Sequence, residues 1–497
     1  MRASGILMHI TSLPGPYGVG TMGKEAYRFI DFLQNAGQRY WQILPLNPTG
    51  YGDSPYQSCS AYAGNPYLID LEQLCVQGLL EREEIAAYRW GDDETKVDFG
   101  LLYENRWKVL HQAYRRFRDQ EALEAFCRKH DNWLSDFALY MALKEQTGGK
   151  PWYEWEQGLK HREPEVIWQA RKHLKEEIRF YSFVQYLFYT QWQALRDYAH
   201  KAGVSIIGDV PIYVPYDSAD VWSDPEWFWL DESLAPVAVA GCPPDYFNAD
   251  GQLWGNPLYR WEQHKKDGYS WWLRRLRAAS ERYDVIRIDH FRGFAGYYAI
   301  PFGAETAKNG QWLPGPGLDF VEAVKKNLPD TAMIAEDLGY LTEDVHSLRD
   351  ASGYPGMKVL EFAFDGSSNN EYLPHRHIAN SVCYIGTHDN MPVKQWLETC
   401  GEKAASFAAA YMGKPQDPVW GMIRLCMSSA SDLAIIQIQD CLELGGEARM
   451  NFPGTSSGNW TWRASPDYLD NQSLTKRIRE LTHIYGRAEE TEMDYEL

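Results

Sequence analysis

Eight short runs of apolar and β-branched residues, each closed by turn formers, recur along this chain at 5–10, 40–45, 204–209, 284–289, 331–336, 357–362, 382–386 and 433–438. The runs are continuous rather than alternating, which is the pattern of strands covered on both faces. Helical patterns separate several of them. The clearest is 24–36, where Ala26, Phe29, Ile30 and Leu33 fall on one face and Gly37 is placed to end the helix. Covered strands joined through helices form parallel sheets, and eight of them predict an α/β chain closed into a (β/α)8 TIM barrel. The 497 residues would fill about three average domains, yet the uneven spacing of the runs accounts for them as one elaborated barrel. Two insertions take up the excess. Residues 72–200, between the second and third strands, carry amphipathic helical patterns at 82–88, 122–130, 133–146 and 176–200 and read as a helical subdomain. Residues 216–262, between the third and fourth, are rich in Gly, Pro, Asn, Asp and Trp and read as an ordered loop region. The acidic stretch 489–496 reads as a solvated terminus.

Barrels of this kind place their chemistry at the C-terminal ends of the strands. The third run ends Ile206-Ile207-Gly208-Asp209 and the fourth Ile286-Arg287-Ile288-Asp289. The fifth ends Ile334-Ala335-Glu336-Asp337, and the seventh leads into Thr387-His388-Asp389. One Asp after a strand is ordinarily a helix cap or turn former. Four acids converging on one mouth repel each other and require function or nearby cations, and Arg287 and His388 adjoin two of them. Two carboxylates are the minimum apparatus for retaining glycosyl transfer. One attacks the anomeric carbon, while the other protonates the leaving oxygen and later deprotonates the acceptor. A third can stabilise oxocarbenium-like charge. Glu336 and Asp337 point to opposite faces of a strand, so only one can enter the site, and pattern alone does not choose between them.

Composition narrows the partners. Lys and Arg number 49 against 68 Asp and Glu, a net charge of −19 that argues against nucleic acid and anionic membranes. Aromatic residues reach 14%, and many sit in loops such as Tyr51-Gly52-Asp53-Ser54-Pro55-Tyr56 and Trp254-Gly255-Asn256-Pro257. Flat rings with a polar tip suit ligands that are apolar on their faces and polar at the rim, as sugars are. Eight scattered cysteines without a C-x-x-C, no 18-residue apolar run and no signal-peptide core predict a reduced, cytoplasmic protein. Gly18-Val19-Gly20-Thr21-Met22-Gly23 fits a dinucleotide fingerprint, but Pro14 and Pro16 separate it from its strand and the next strand ends without an acid for a ribose. It reads as a plain loop. His9 and His375-Arg376-His377 make no closed metal set, and neither a metal nor a cofactor is expected.

Arg287-Ile288-Asp289-His290-Phe291-Arg292-Gly293, Ala335-Glu336-Asp337-Leu338-Gly339 and Gly386-Thr387-His388-Asp389-Asn390 resemble the strand-four, strand-five and strand-seven motifs of the amylomaltases. These are the 4-α-glucanotransferases of glycoside hydrolase family 77. Ser12-Leu13-Pro14, Gly52-Asp53-Ser54-Pro55-Tyr56, Gly64-Asn65-Pro66-Tyr67, Gly208-Asp209-Val210-Pro211-Ile212-Tyr213-Val214 and Gly255-Asn256-Pro257-Leu258-Tyr259 extend the likeness along nearly the whole chain. The resemblance implies Asp289 as nucleophile, Glu336 as acid/base and Asp389 as transition-state stabiliser. It further implies that Arg287, His388 and Asp209 bind around the donor sugar, that Tyr56 and Trp254 line glucan subsites, and that a loop at 451–459, with Asn459, covers the cleft. Malto-oligosaccharides would be donor and acceptor, short donors would release glucose, and no separate C-terminal β-domain would follow the barrel. A hydrolase using the same carboxylates is the nearest rival. A non-catalytic glucan-binding protein would be marked by loss of a carboxylate, and all three are present.

Overall fold

A computed structural model describes residues 2–244, 249–339, 341–455 and 457–488. The acidic stretch 489–496 lies outside the described residues. Eight parallel strands close into a barrel: β1 (Ala3–Leu7), β2 (Tyr40–Gln42), β3 (Ser205–Pro211), β4 (Val285–Asp289), β5 (Ala332–Ala335), β6 (Gly356–Val359), β7 (Ser381–Tyr384) and β8 (Leu433–Gln437). Each sequence run supplies one of them. β1 and β8 close the ring in register, from Ala3 opposite Leu433 to Leu7 opposite Gln437. Two arginines brace this seam from below. Arg487 donates to the carbonyls of Ala3, Met427, Ser429, Ser431 and Asp432, and Arg2 donates to those of Met427, Ser429 and Ser431.

Several strands stop earlier than their apolar runs. After β2, Ile43 N–H still donates to the Ile207 carbonyl of β3, and Leu44 stays buried beyond the last of these bonds because the chain sinks into the packing around the mouth. Burial, which the sequence pattern reports, therefore outlasts pairing. The helix Lys24–Asn35 forms as its spacing predicts, burying Ala26, Phe29, Ile30, Phe32 and Leu33, and Gly37 takes the left-handed conformation just beyond it.

Between β2 and β3 the chain is helical, with Gln120–Lys129, Asp131–Gln146 and the 27-residue Lys175–Lys201 packed together. The helix Phe99–Arg116 has no counterpart in the sequence reading. Its buried face mixes Phe99, Leu102, Val109 and Leu110 with Asn105 and Arg106, which interrupt the apolar stripe. Arg106 is fully buried and gives its guanidinium to the carbonyls of Pro66, Tyr67 and Ile69.

The region 216–262 departs from the loop reading. Ala238–Cys242 and Gln252–Pro257 are strands of a four-stranded antiparallel sheet completed by Gly296–Pro301 and Gln311–Pro314. Half of that sheet comes from beyond β4, so its pairing is invisible to local pattern. Its strands are short and rich in Gly and Pro, and the two outer ones, Gln252–Pro257 and Gln311–Pro314, are partly exposed. The glycine-rich segment 18–23 is a loop folded back on the turn after β1, with Gly20 N–H donating to the Thr11 carbonyl. Among the described residues no helix is long and apolar enough to cross a membrane, and no group of three or more His, Cys, Asp or Glu could hold a metal ion.

Candidate active site

The acids at the strand ends are brought together by the barrel's register. Asp209 of β3 pairs with Arg287 of β4, and Pro211 pairs with Asp289. Two residues apart on one strand, Arg287 and Asp289 share a face. Arg287 Nη1 reaches Asp209 Oδ2 at 2.6 Å and Asp289 Oδ1 at 3.0 Å, so one guanidinium bridges two carboxylates. Asp209 and Arg287 are buried, while the Asp289 side chain keeps 29% of its surface and opens to the cleft. Gly208, just before Asp209, has no room for a Cβ, which would stand 2.1 Å from the Tyr283 ring packed against the strand.

β4 and β5 pair as far as Ile288 and Ala335, which sets Glu336 beside Asp289 and His290. Both Glu336 oxygens accept main-chain hydrogen bonds, from His290 N at 2.6 Å and Leu338 N at 3.0 Å. His290 holds φ +53°, a left-handed conformation uncommon outside glycine, and in that turn its N–H donates to the Glu336 carboxylate. Asp337 turns the other way, accepting from Arg349 Nη1 at 2.8 Å and Met357 N at 2.7 Å in the wall of the barrel. The alternative left open by pattern thus resolves: Glu336 faces the mouth, and Asp337 ties β5 to β6.

Asp389 lies beyond the end of β7 with its side chain 47% exposed. Asn451 Nδ2 donates to its Oδ1 at 2.7 Å, Arg449 donates to its main-chain oxygen, and His388 Nε2 stands 3.4 Å from Oδ1. The His388 ring stacks on Tyr56 at 5.1 Å, and Trp460 tilts against both. Tyr56 donates its hydroxyl to Asp209 Oδ2 at 2.7 Å, linking the β3–β4 side of the mouth to the β7 side. Trp254, half-buried on the side sheet, sets its ring edge-on to His290 at 4.8 Å. Asn459 is placed differently. It is buried, accepts from Phe452 N and donates to Thr455, and so it braces the turn 452–459 from within. Asn451, Arg449, Trp460 and His290 escaped the residue-by-residue reading. Trp460 and His290 share one signal, a non-glycine residue at positive φ, which only the folded chain reveals.

Burial raises the Asp289 and Glu336 carboxyls above the usual range, and Arg287 opposes this at both. Two such groups in one cleft share a proton rather than ionise together. Arg287 touches Asp289 directly, whereas the contacts to Glu336 are main-chain N–H groups, so the geometry favours the proton on Glu336 and the charge on Asp289. His388 and His290 are both lowered by burial, His290 to about 3, so His290 is a neutral ring near neutral pH.

The model of the 4-alpha-glucanotransferase family matches residues 8–469. The 4-alpha-glucanotransferase of Clostridium butyricum is 46% identical over 488 residues, covering 97% of this chain and all of that protein. That of Thermus thermophilus is 48% identical over 483 residues, covering 94% and 96%. The solved amylomaltase from Streptococcus agalactiae in complex with acarbose superposes with a TM-score of 0.96 at 42% identity, covering 98% of this chain and 100% of that one. The chain belongs to the 4-alpha-glucanotransferase family, glycoside hydrolase family 77.

Proposed function

We propose that this chain transfers α-1,4-glucan segments between malto-oligosaccharides by a retaining double displacement, with Asp289 as nucleophile, Glu336 as acid/base and Asp389 as stabiliser of the transition state. The observation that carries the reading is the single Arg287 guanidinium shared by Asp209 and Asp289 with Glu336 alongside. It keeps Asp289 ionised for attack on the anomeric carbon and leaves the shared proton on Glu336 for the leaving oxygen. Departure of the aglycone returns Glu336 as a base for the incoming sugar hydroxyl, and the second displacement restores the original anomeric configuration. Asp389, His388, Asp209 and Arg287 surround the donor sugar, and Tyr56 and Trp254 offer ring faces to neighbouring units. We treat the chain as one catalytic unit, with 72–200 and 216–262 as insertions. No disulfide joins any of its eight cysteines among the described residues, which suits the reducing cytoplasm.

Maltotriose tests the reading. The expected products are glucose and a ladder of longer oligosaccharides, with the number of reducing ends constant. Intact maltotriose, or shorter sugars with a rising reducing-end count, overturns it, the second outcome in favour of hydrolysis. Roles are tested with Glu336→Gln and a glucosyl fluoride, whose leaving group needs no proton. Mass spectrometry should find a glycosyl adduct on Asp289, and an adduct on Asp389 or Asp209 reassigns the nucleophile.

A further inference from the structure

His9 plays no part in the chemistry above, yet it lies immediately beneath it. It follows β1, opens the turn Ile10–Ser12 without capping it, and is almost wholly buried. Its Nδ1 has no hydrogen-bond partner in the protein, and neither does Nε2 of Gln437, the last residue of β8. Two such orphans side by side are unusual, because buried polar groups are nearly always satisfied. Both residues line a cavity of about 10 Å3, together with His388, Ser12, Gln439 and Met450. That volume is just enough for one water molecule, and the lining, although mostly apolar, carries these two unpartnered polar groups.

We propose that this cavity is a binding site for one structural water, and that through it His9 is a positioning residue for His388. This rests on the reading of His388 as a donor-sugar contact. The water accepts from Gln437 Nε2 and donates to His9 Nδ1; burial keeps the His9 ring neutral, and this hydrogen bond selects the tautomer whose Nδ1 accepts. Its remaining hydrogen bond goes to Nδ1 of His388, whose Nε2 is turned to Asp389. The imidazole beside Asp389 is thereby held in one orientation and one tautomer, as outer partners hold ligating histidines. Stacking on Tyr56 fixes the plane of that ring. A hydrogen bond selects between the two flipped placements of the ring that share this plane.

A crystal structure of the unaltered protein, at a resolution that orders internal waters, decides the first half. One water within hydrogen-bond distance of His9 Nδ1, Gln437 Nε2 and His388 Nδ1 is expected; an empty cavity, or direct contact between the side chains, overturns the proposal. Kinetics on maltotriose decide the second half. His9→Leu should lower kcat by about tenfold or more, as a misplaced group does, with KM nearly unchanged, and His9→Asn should recover most of the loss. A His9→Leu protein with unaltered kcat, or a loss in melting temperature alone, leaves His9 merely structural. Failure of the transferase reading would show separately, as an unaltered protein that makes no ladder from maltotriose.

Discussion

Asp289 and Asp389 stand on opposite sides of one cleft and are held by different means. Asp289 belongs to a strand, and its cation, Arg287, sits two residues earlier on that strand and is anchored across the ladder to Asp209. Asp389 lies past the end of its strand, and its carboxylate is held by an amide from a distant loop, Asn451. The first arrangement is written into the barrel's hydrogen-bond register, so it cannot shift without disturbing the fold. The second depends on where the segment 449–460 settles. Activity and stability should therefore be coupled on the β3–β4 side and separable on the β7 side.

Arg287→Met should have the largest effect. It strands the buried Asp209 carboxylate and takes the cation from the half-buried Asp289, so kcat/KM should fall by several orders of magnitude and the unfolding free energy by about 3–5 kcal/mol. An inactive variant as stable as the parent by denaturant titration would break the comparison. Asn451→Ala should lower kcat/KM by about 10- to 100-fold through misplacement of Asp389, with an unchanged melting temperature; a marked fall in melting temperature would erase the distinction between the two sides. Tyr56→Phe removes one hydrogen bond to Asp209 and should cost about 1 kcal/mol, roughly a fivefold loss in kcat/KM, and a loss no larger than the scatter of the assay would remove Tyr56 as the link between the sides.

The smallest effect on activity is expected from Asp440→Asn. Asp440 is buried beyond β8, accepts from Val393 N at 2.7 Å, and burial pushes its carboxyl up to about 7. Between roughly pH 4, where the unfolded group ionises, and pH 7, the unfolded chain loses this proton while the folded one keeps it. The Asp440 contribution to stability is thus present below that window and lost as the pH rises through it. The variant lacks this titration, so its melting temperature should gain on the parent from pH 4 to pH 7. A difference that stays flat across that range contradicts the raised carboxyl.

The sequence reading reached the barrel because its strands are buried on both faces, which leaves continuous apolar runs that no other element explains so well. It reached Asp209, Asp289, Glu336 and Asp389 because acids at the ends of such runs stand out. Alternation says only that Glu336 and Asp337 diverge; the family resemblance chose Glu336, and the β4–β5 register, a relation between segments, sets it beside Asp289. The resemblance brought the loop at 451–459 to the cleft, but nothing nearby in sequence shows that Asn451 is the residue that reaches Asp389 or that Trp460 packs on His388. The helix Phe99–Arg116 hid because Asn105 and Arg106 occupy its inner face, and the Nε and Nη2 groups of Arg106 donate to carbonyls about forty residues away. The side sheet hid because its partners come from both sides of β4. Asn459, expected at the cleft, is spent on the turn that supports it.

The strap around Asn451 has a bearing on how the protein is made. Beyond it, Val97 N–H donates to the Thr461 carbonyl, Arg463 N–H to Thr95, and Ala464 N–H to Ser12, so the segment is sewn to the beginning of the chain. β1 leaves the ribosome before the other barrel strands, and its partner β8 leaves after them. Until residues 449–464 have emerged, the nascent chain has neither a closed ring nor a hand on Asp389. Long-range closure of this kind is slow to nucleate and leaves strand edges uncovered in the meantime. A polypeptide still being translated therefore carries Asp289 and Glu336 before the segment that holds Asp389 is in place.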